Sequence, residues 1–193
     1  MSTTKHEPQS MTTFIALLRG VNVGKAKRVP MAAFRALLCD LGYTDVVTLL
    51  NSGNAVFRAT KGASAQHAAD IASALASQLN VDVPVIVKSA PELSAIIAAN
   101  PITATAPDHA RFLVAFTQDP ASLRSLSAIE PLVMPSEQFA VGQHAAYLLC
   151  TDGILDSKAG KALVGKCGQL VTSRNWATTL KLQALTGSGP SAA

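Results

Sequence analysis

The side chains of this chain that could do chemistry are mostly basic and small polar ones. Arg19, Asn22, Gly24, Lys25, Lys27 and Arg28 share the stretch RGVNVGKAKR. Glycines let backbone amides approach an anion, and a helix that follows offers its positive end, so a phosphate cradle is the first chemistry to test. A Walker A loop needs Gly-x4-Gly-Lys-Ser/Thr. Gly20-x3-Gly24-Lys25-Ala26 is one residue short and lacks the hydroxyl that holds magnesium. The dinucleotide pattern fails as well. What remains is charge and room: Arg19 where a strand ends, the amide of Asn22, and the space at Gly24. The plain alternative is a long connection whose glycines serve turns and whose lysines serve solubility.

Three other stretches carry similar residues. In NSGNAVF, Ser52, Gly53 and Asn54 are turn chemistry, and the same turn could present Ser52 or Asn54 to a ligand. In VTSRNWATTLKLQAL, Thr172 and Ser173 are alternative helix N-caps, which predicts Arg174 in the first turn, beside Asn175. A cation there opposes the helix dipole unless an anion sits between it and the free amides. The competing account is a surface arginine lying over Trp176. In DGILDSK, Ser157 is a natural cap and Lys158 either a solvated lysine or an anion ligand; Asp152 or Asp156 would be the base of an enzyme acting on a phosphorylated molecule. The four histidines, His6, His67, His109 and His144, are far apart in sequence, and no Ser-His-Asp order, His-Glu-x-x-His or carboxylate cluster appears. The expectation is no metal, no cofactor and no readable catalytic constellation.

Charge gives these stretches a common theme. The net charge is only +4, but Arg19 to Arg35 and Lys158 to Lys181 contain ten of the 16 basic residues and no acid. That asymmetry points to an anionic partner, a small molecule or nucleotide, against the bland reading of two solubilising surfaces.

Apolar periodicity supplies the elements that must position these residues. Strands are predicted at 14–19, 46–50, 55–59, 83–88, 111–117, 138–142 and 145–150, and helices at 30–42, 64–80, 90–99, 120–127, 157–166 and 174–185. The order is βαββαβα and then βαββαα. The split βαβ order identifies an α+β fold of tandem ferredoxin-like (βαββαβ-type) halves with antiparallel sheets and helices packed on them. Residues 13–100 form the first half, 101–109 a Pro-bearing linker and 110–186 the second half with an extra C-terminal helix, between disordered segments 1–12 and 187–193. FIALL and VPVIV are apolar at every position, which predicts sheets covered on both faces. The cover is either the other half of the chain or a homodimer partner.

Composition bounds the remaining classes. Hydrophobic residues at 49% and charged ones at 15% exclude a self-solvating disordered chain. No apolar run approaches the ~20 residues that cross a bilayer and no secretion signal is evident, so a cytoplasmic protein with no membrane partner is expected. Cys39, Cys150 and Cys167 are scattered and read as reduced thiols. A nucleic-acid-binding sheet needs exposed strand aromatics, and aromatics are only 5% of residues.

The blocks LLRGVNVGKAKRVPMAAFRALLCDLGY…VVTLLNSGNAVF and DGILDSK…VTSRNWATTLKL resemble the bacterial domain-of-unknown-function family numbered 1697. The resemblance spans Thr13 to Leu185 and implies an α+β fold of ferredoxin-like halves, with no activity to carry over. Positions that match are Arg19, Gly20, Asn22, Gly24, Met31, Ser52, Gly53, Asn54, Gly153, Ser157, Lys158, Thr172, Arg174, Asn175 and Trp176. Lys25 stands where the family has a second glycine, and Leu49 and Asn51 replace its Tyr and Gln. The function expected is binding of a phosphorylated or nucleotide-like anion between the halves. Nucleic-acid binding and a transferase or hydrolase are the alternatives.

Overall fold

The computed structural model of the chain describes residues 11–23, 27–60, 62–165 and 169–187. The expected disordered segments lie almost wholly outside these, as do Gly24, Lys25 and Cys167. The protein is α+β, with two four-stranded antiparallel sheets.

The first sheet combines β1 (Thr12–Leu18), β2 (Thr44–Leu49), β3 (Asn54–Ala59) and β4 (Val85–Ser89) in the order β2-β3-β1-β4. The second combines β5 (Phe112–Thr117), β6 (Gln138–Val141), β7 (Ala145–Leu149) and β8 (Val171–Asn175) in the order β6-β7-β5-β8. Strand for strand the two orders are the same. The helices are α1 (Met31–Asp40), α2 (Ser64–Leu79), α3 (Ala90–Ala98), α4 (Lys158–Val164) and α5 (Trp176–Gly187).

Two corrections follow. The stretch 171–175 is a strand, so the second half reads βαββαβα like the first, and α5 begins at Trp176 rather than at residue 174. The expected helix at 120–127 is instead a run of 3₁₀ turns, Pro120–Leu132, capped by Asp119, whose carboxylate accepts from Ala121 N at 2.9 Å. The outer boundaries also move slightly, since β1 begins at Thr12 and α5 reaches Gly187.

Why FIALL and its counterpart FLVAF are apolar throughout follows from the alternation of strand side chains across a sheet. Phe14, Ala16 and Leu18 pack under α1 and α2 with Phe34, Leu38, Ile71 and Leu75. Ile15 and Leu17 point the other way, into a core shared with Phe112, Val114 and Phe116 of the second sheet. Leu113 and Ala115 face a third cluster with Leu126, Ile129 and Leu163. The shared core is completed by Leu93 and Ile96 of α3 and Leu182 of α5. Here α5 packs on strands of both sheets, and the Tyr147 hydroxyl donates to Ile96 O at 2.6 Å. The cover over each inner sheet face is therefore the other half of the same chain.

The helix ends obey local chemistry. Gly42 follows α1 with φ 84°, the left-handed conformation that stops a helix. At α3, Ser89 accepts from Glu92 N and the Glu92 carboxylate accepts from Ser89 N at 2.7 Å and from the Ser64 hydroxyl at 2.6 Å. Burial pushes the Glu92 carboxyl up, but these bonds, with Lys88 Nζ at 3.8 Å, outweigh it and hold the group below the usual range. A lowered folded-state pKa means stability that is complete above the unfolded value of about 4.3 and disappears as acid titrates the folded group. Thermal unfolding of Glu92→Gln should fall below wild type at pH 6, and the gap should narrow as the pH drops below the unfolded value and acid titrates the folded carboxylate. A gap unchanged by pH would assign the effect to something other than this charge.

No helix among the described residues is long and apolar enough to cross a membrane.

Candidate functional site

Arg174 sits on β8 opposite Val114, and Thr172 opposite Phe116. Both partners face the shared core, so period-two alternation turns Thr172 and Arg174 toward the first sheet. The Arg174 guanidinium is 8% exposed and its donors are all engaged. Nε donates to Asn54 Oδ1, Nη1 to Thr172 Oγ1 at 2.9 Å and Ser173 O at 2.8 Å, and Nη2 to Leu18 O at 2.7 Å and Ser52 O at 3.1 Å. Burial pushes its pKa down to about 10, which leaves it charged at neutral pH.

Arg19 makes the reciprocal reach. It follows β1 in the first half, and its Nε donates to Val171 O at 2.9 Å and Nη2 to Gly165 O at 3.1 Å, both in the second half. Each half thus sends one arginine to the backbone carbonyls of the other. Neither arginine pairs with a carboxylate: the ion pairs among the described residues are Arg58–Asp45, Lys88–Glu92 and Arg111–Asp108. Nη1 of Arg19 has no partner among the described residues.

Between these crossings lies a cleft of about 750 Å³. Its polar lining is Arg19, Ser52, Thr172, Ser173, Arg174, Asn175 and Thr178, and its apolar lining includes Leu18, Val21, Val23, Leu50, Leu113, Ile154, Leu163, Val164 and Val171. Among the described residues no carboxylate lines it. Ser52 and Asn175 are half-engaged: the Ser52 hydroxyl accepts from Asn54 Nδ2 at 2.9 Å, and Asn175 Oδ1 caps α5 by accepting from Thr178 N at 2.9 Å. The cap is therefore Asn175, not Thr172 or Ser173, and Arg174 precedes the helix instead of sitting in its first turn. Trp176 stacks on Phe112 with ring centroids 5.0 Å apart.

The other sequence-predicted residues lie elsewhere. Asn54 is fully buried, with Nδ2 donating to Leu49 O and Ser52 Oγ and Oδ1 taken by Arg174, so no polar atom is left for a ligand. Asn22, at φ 58°, holds its own loop closed: Nδ2 donates to Val29 O at 2.9 Å and Asn51 O at 2.6 Å, and Oδ1 accepts from Val29 N. It borders a separate cavity of about 410 Å³ with Arg28 and Met31. Ser157 is buried and caps α4 by accepting from Gly160 N at 2.8 Å, while Lys158 is exposed at that helix's first turn. Neither lines the cleft. Asp152 and Asp156 are exposed and outside it too. Gly24 lies outside the described residues.

Among the described residues no group of three His, Cys, Asp or Glu stands close enough to hold a metal ion. Nor is any ring exposed on a strand: Phe14, Phe57, Phe112, Phe116 and Tyr147 are buried and Phe139 packs on the third core cluster. A base-stacking platform is thus missing from these sheets. Sequence reasoning missed Thr172, Ser173 and Thr178 as cleft residues. Thr172 and Ser173 belong to a strand recognisable only by its pairing with β5, and Thr178 to the helix that follows it.

The fold is similar to that of a conserved bacterial protein from Streptococcus pneumoniae, at a TM-score of 0.76 and 23% identity over 92% of this chain and 99% of that one. No curated protein matches the chain. Residues 11–147 match the family described as "protein of unknown function (DUF1697)", and the chain belongs to that family.

Proposed function

We propose that the protein binds a small anion in the cleft between tandem ferredoxin-like halves, residues 13–100 and 110–186, joined by the linker 101–109. The common order of the two sheets supports the ferredoxin-like reading. Cytoplasmic residence, expected because the sequence shows neither a membrane-length apolar run nor a secretion signal, belongs to the same proposal. One observation carries the ligand reading: among the described residues no carboxylate lines the cleft, and no acid pairs with the two arginines that border it. In a partly desolvated site such charges act over several ångströms, and an anion relieves the field. Arg19 contributes its free Nη1 edge, Ser52, Ser173 and Thr178 contribute hydroxyls, and Arg174 contributes charge but no hydrogen bond, its donors being engaged. The expected phosphorylated ligands remain within this reading.

A thermal-shift panel of inorganic phosphate, sugar phosphates, AMP and aliphatic carboxylates tests it, because a ligand at 100 times its Kd adds about 2.7 kcal/mol. The expected result is a rise in Tm with at least one anion, absent with its uncharged analogue. Arg19→Gln, referred to its own ligand-free Tm, should lose that rise. An unchanged response in Arg19→Gln, or no response to any anion, overturns the reading.

A further inference from the structure

We propose that the anion is amphiphilic: a medium-chain aliphatic carboxylate whose acid group lies against Arg19 and whose hydrocarbon chain rests on Val23, Leu50 and Val164. This rests on the anion reading above and adds what the charge is attached to.

Three observations carry it. Among the described residues the cleft lining has no aromatic ring for a nucleobase to stack on, whereas aliphatic side chains form most of the wall. At its mouth, Val23 is 73% exposed, Leu50 52% and Val164 49%, three of the few large apolar side chains that the described fold leaves in water. Clustered exposed apolar groups mark a binding surface more often than scattered ones do. Finally, Leu50 holds φ 58° in the turn between β2 and β3, a left-handed backbone suited to Asn or Gly and strained for a branched side chain. Half of that leucine faces solvent, so packing offsets only part of the strain. Strain that the fold does not need points to a role outside the fold.

The head group follows from donor arithmetic. Arg174 has no N–H to give, so the guanidinium nitrogen at the cleft left without a partner among the described residues, Nη1 of Arg19, meets the acid, which suits a single carboxylate better than a polyphosphate. A cleft of about 750 Å³ lies within the range of small-molecule sites.

Calorimetric titration of the full chain with hexanoate, octanoate and decanoate below their micellar concentrations tests the proposal, with 1-octanol, inorganic phosphate and AMP as comparisons. Binding should tighten by up to about fourfold per added methylene, and 1-octanol should bind far more weakly than octanoate. Leu50→Asn, whose new residue suits the left-handed backbone, should keep or raise the ligand-free Tm yet weaken decanoate about fivefold. Arg19→Gln should erase the preference for octanoate over 1-octanol. If phosphate or AMP binds through Arg19 while the carboxylates do not, the anion reading stands and this inference falls. If octanoate and 1-octanol bind alike, this inference falls; if none of the probes binds, both fall. A chain-length dependence that Leu50→Asn leaves intact places the hydrocarbon elsewhere and overturns the inference.

Discussion

Replacing Arg174 by Met should cost on the order of 4 kcal/mol of stability, measured as the shift in the urea midpoint at constant m. Methionine matches the aliphatic stem but removes every donor. The groups left behind are backbone carbonyls of Leu18, Ser52 and Ser173 and the side-chain oxygen of Asn54. Swapping a buried ion pair for apolar residues is often harmless because both partners leave together. That escape is closed here, since the acceptors are mostly main chain and stay in place whatever replaces the arginine. Each buried acceptor without a donor costs about 1–3 kcal/mol, and relief from desolvating the guanidinium returns part of the sum. Arg174→Lys keeps the charge but offers at most three donors from one point, and should lose about 2 kcal/mol. A Met variant within 1 kcal/mol of wild type would mean that the two halves hold together without this crossing.

Gly53→Ala is the second large effect expected. Gly53 closes the β2–β3 turn at φ 73°, and a Cβ there would lie 2.6 Å from Val21 Cγ2 and 2.7 Å from Leu18 Cβ. The Leu18 atom is the base of a side chain on a central strand and cannot swing aside, and Leu18 N is itself bonded to Gly53 O at 2.8 Å. Left-handed strain of about 1–2 kcal/mol and overpacking of similar size predict a loss of about 3 kcal/mol, or roughly 10 °C in Tm for a chain of this length. Gly20→Ala separates the two contributions. Gly20 has φ 65° but open space around the added methyl, so it should lose only the strain part. Equal losses in the two variants would show that contact with Leu18 and Val21 contributes nothing. The same contact explains why the turn sits so close to Arg19 and the cleft.

Much of the fold was written in local pattern. Seven of the eight strands are visible as apolar runs because their side chains, on one face or both, meet a core. The fully apolar FIALL even announced that both faces of its sheet are covered, which the cores above and below β1 explain. Helix α1 was legible through its spacing and through Gly42, whose backbone conformation few other residues accept. Strand β8 was not legible. Val171-Thr172-Ser173-Arg174-Asn175 has one apolar residue and three good capping residues, so local chemistry favours a helix start. What makes it a strand is pairing with β5, more than 50 residues away, an interaction with no trace in the segment itself.

The candidate site divides along the same line. The sequence alone determined that Arg19, Arg174 and Asn175 are set apart by type and by acid-free surroundings and Ser52 by its turn, because charge balance and turn chemistry along a chain can be read without coordinates. Tertiary structure alone decided what those groups do. It drew Arg19 and Arg174 to carbonyls on opposite halves, enclosed Asn54 and Ser157, and gathered Val23, Leu50 and Val164 at the mouth of one cleft. A guanidinium is the same group in solvent, in a ligand site or in a core. Which one it serves depends on where its acceptors are, and here they come from residues more than 100 positions away.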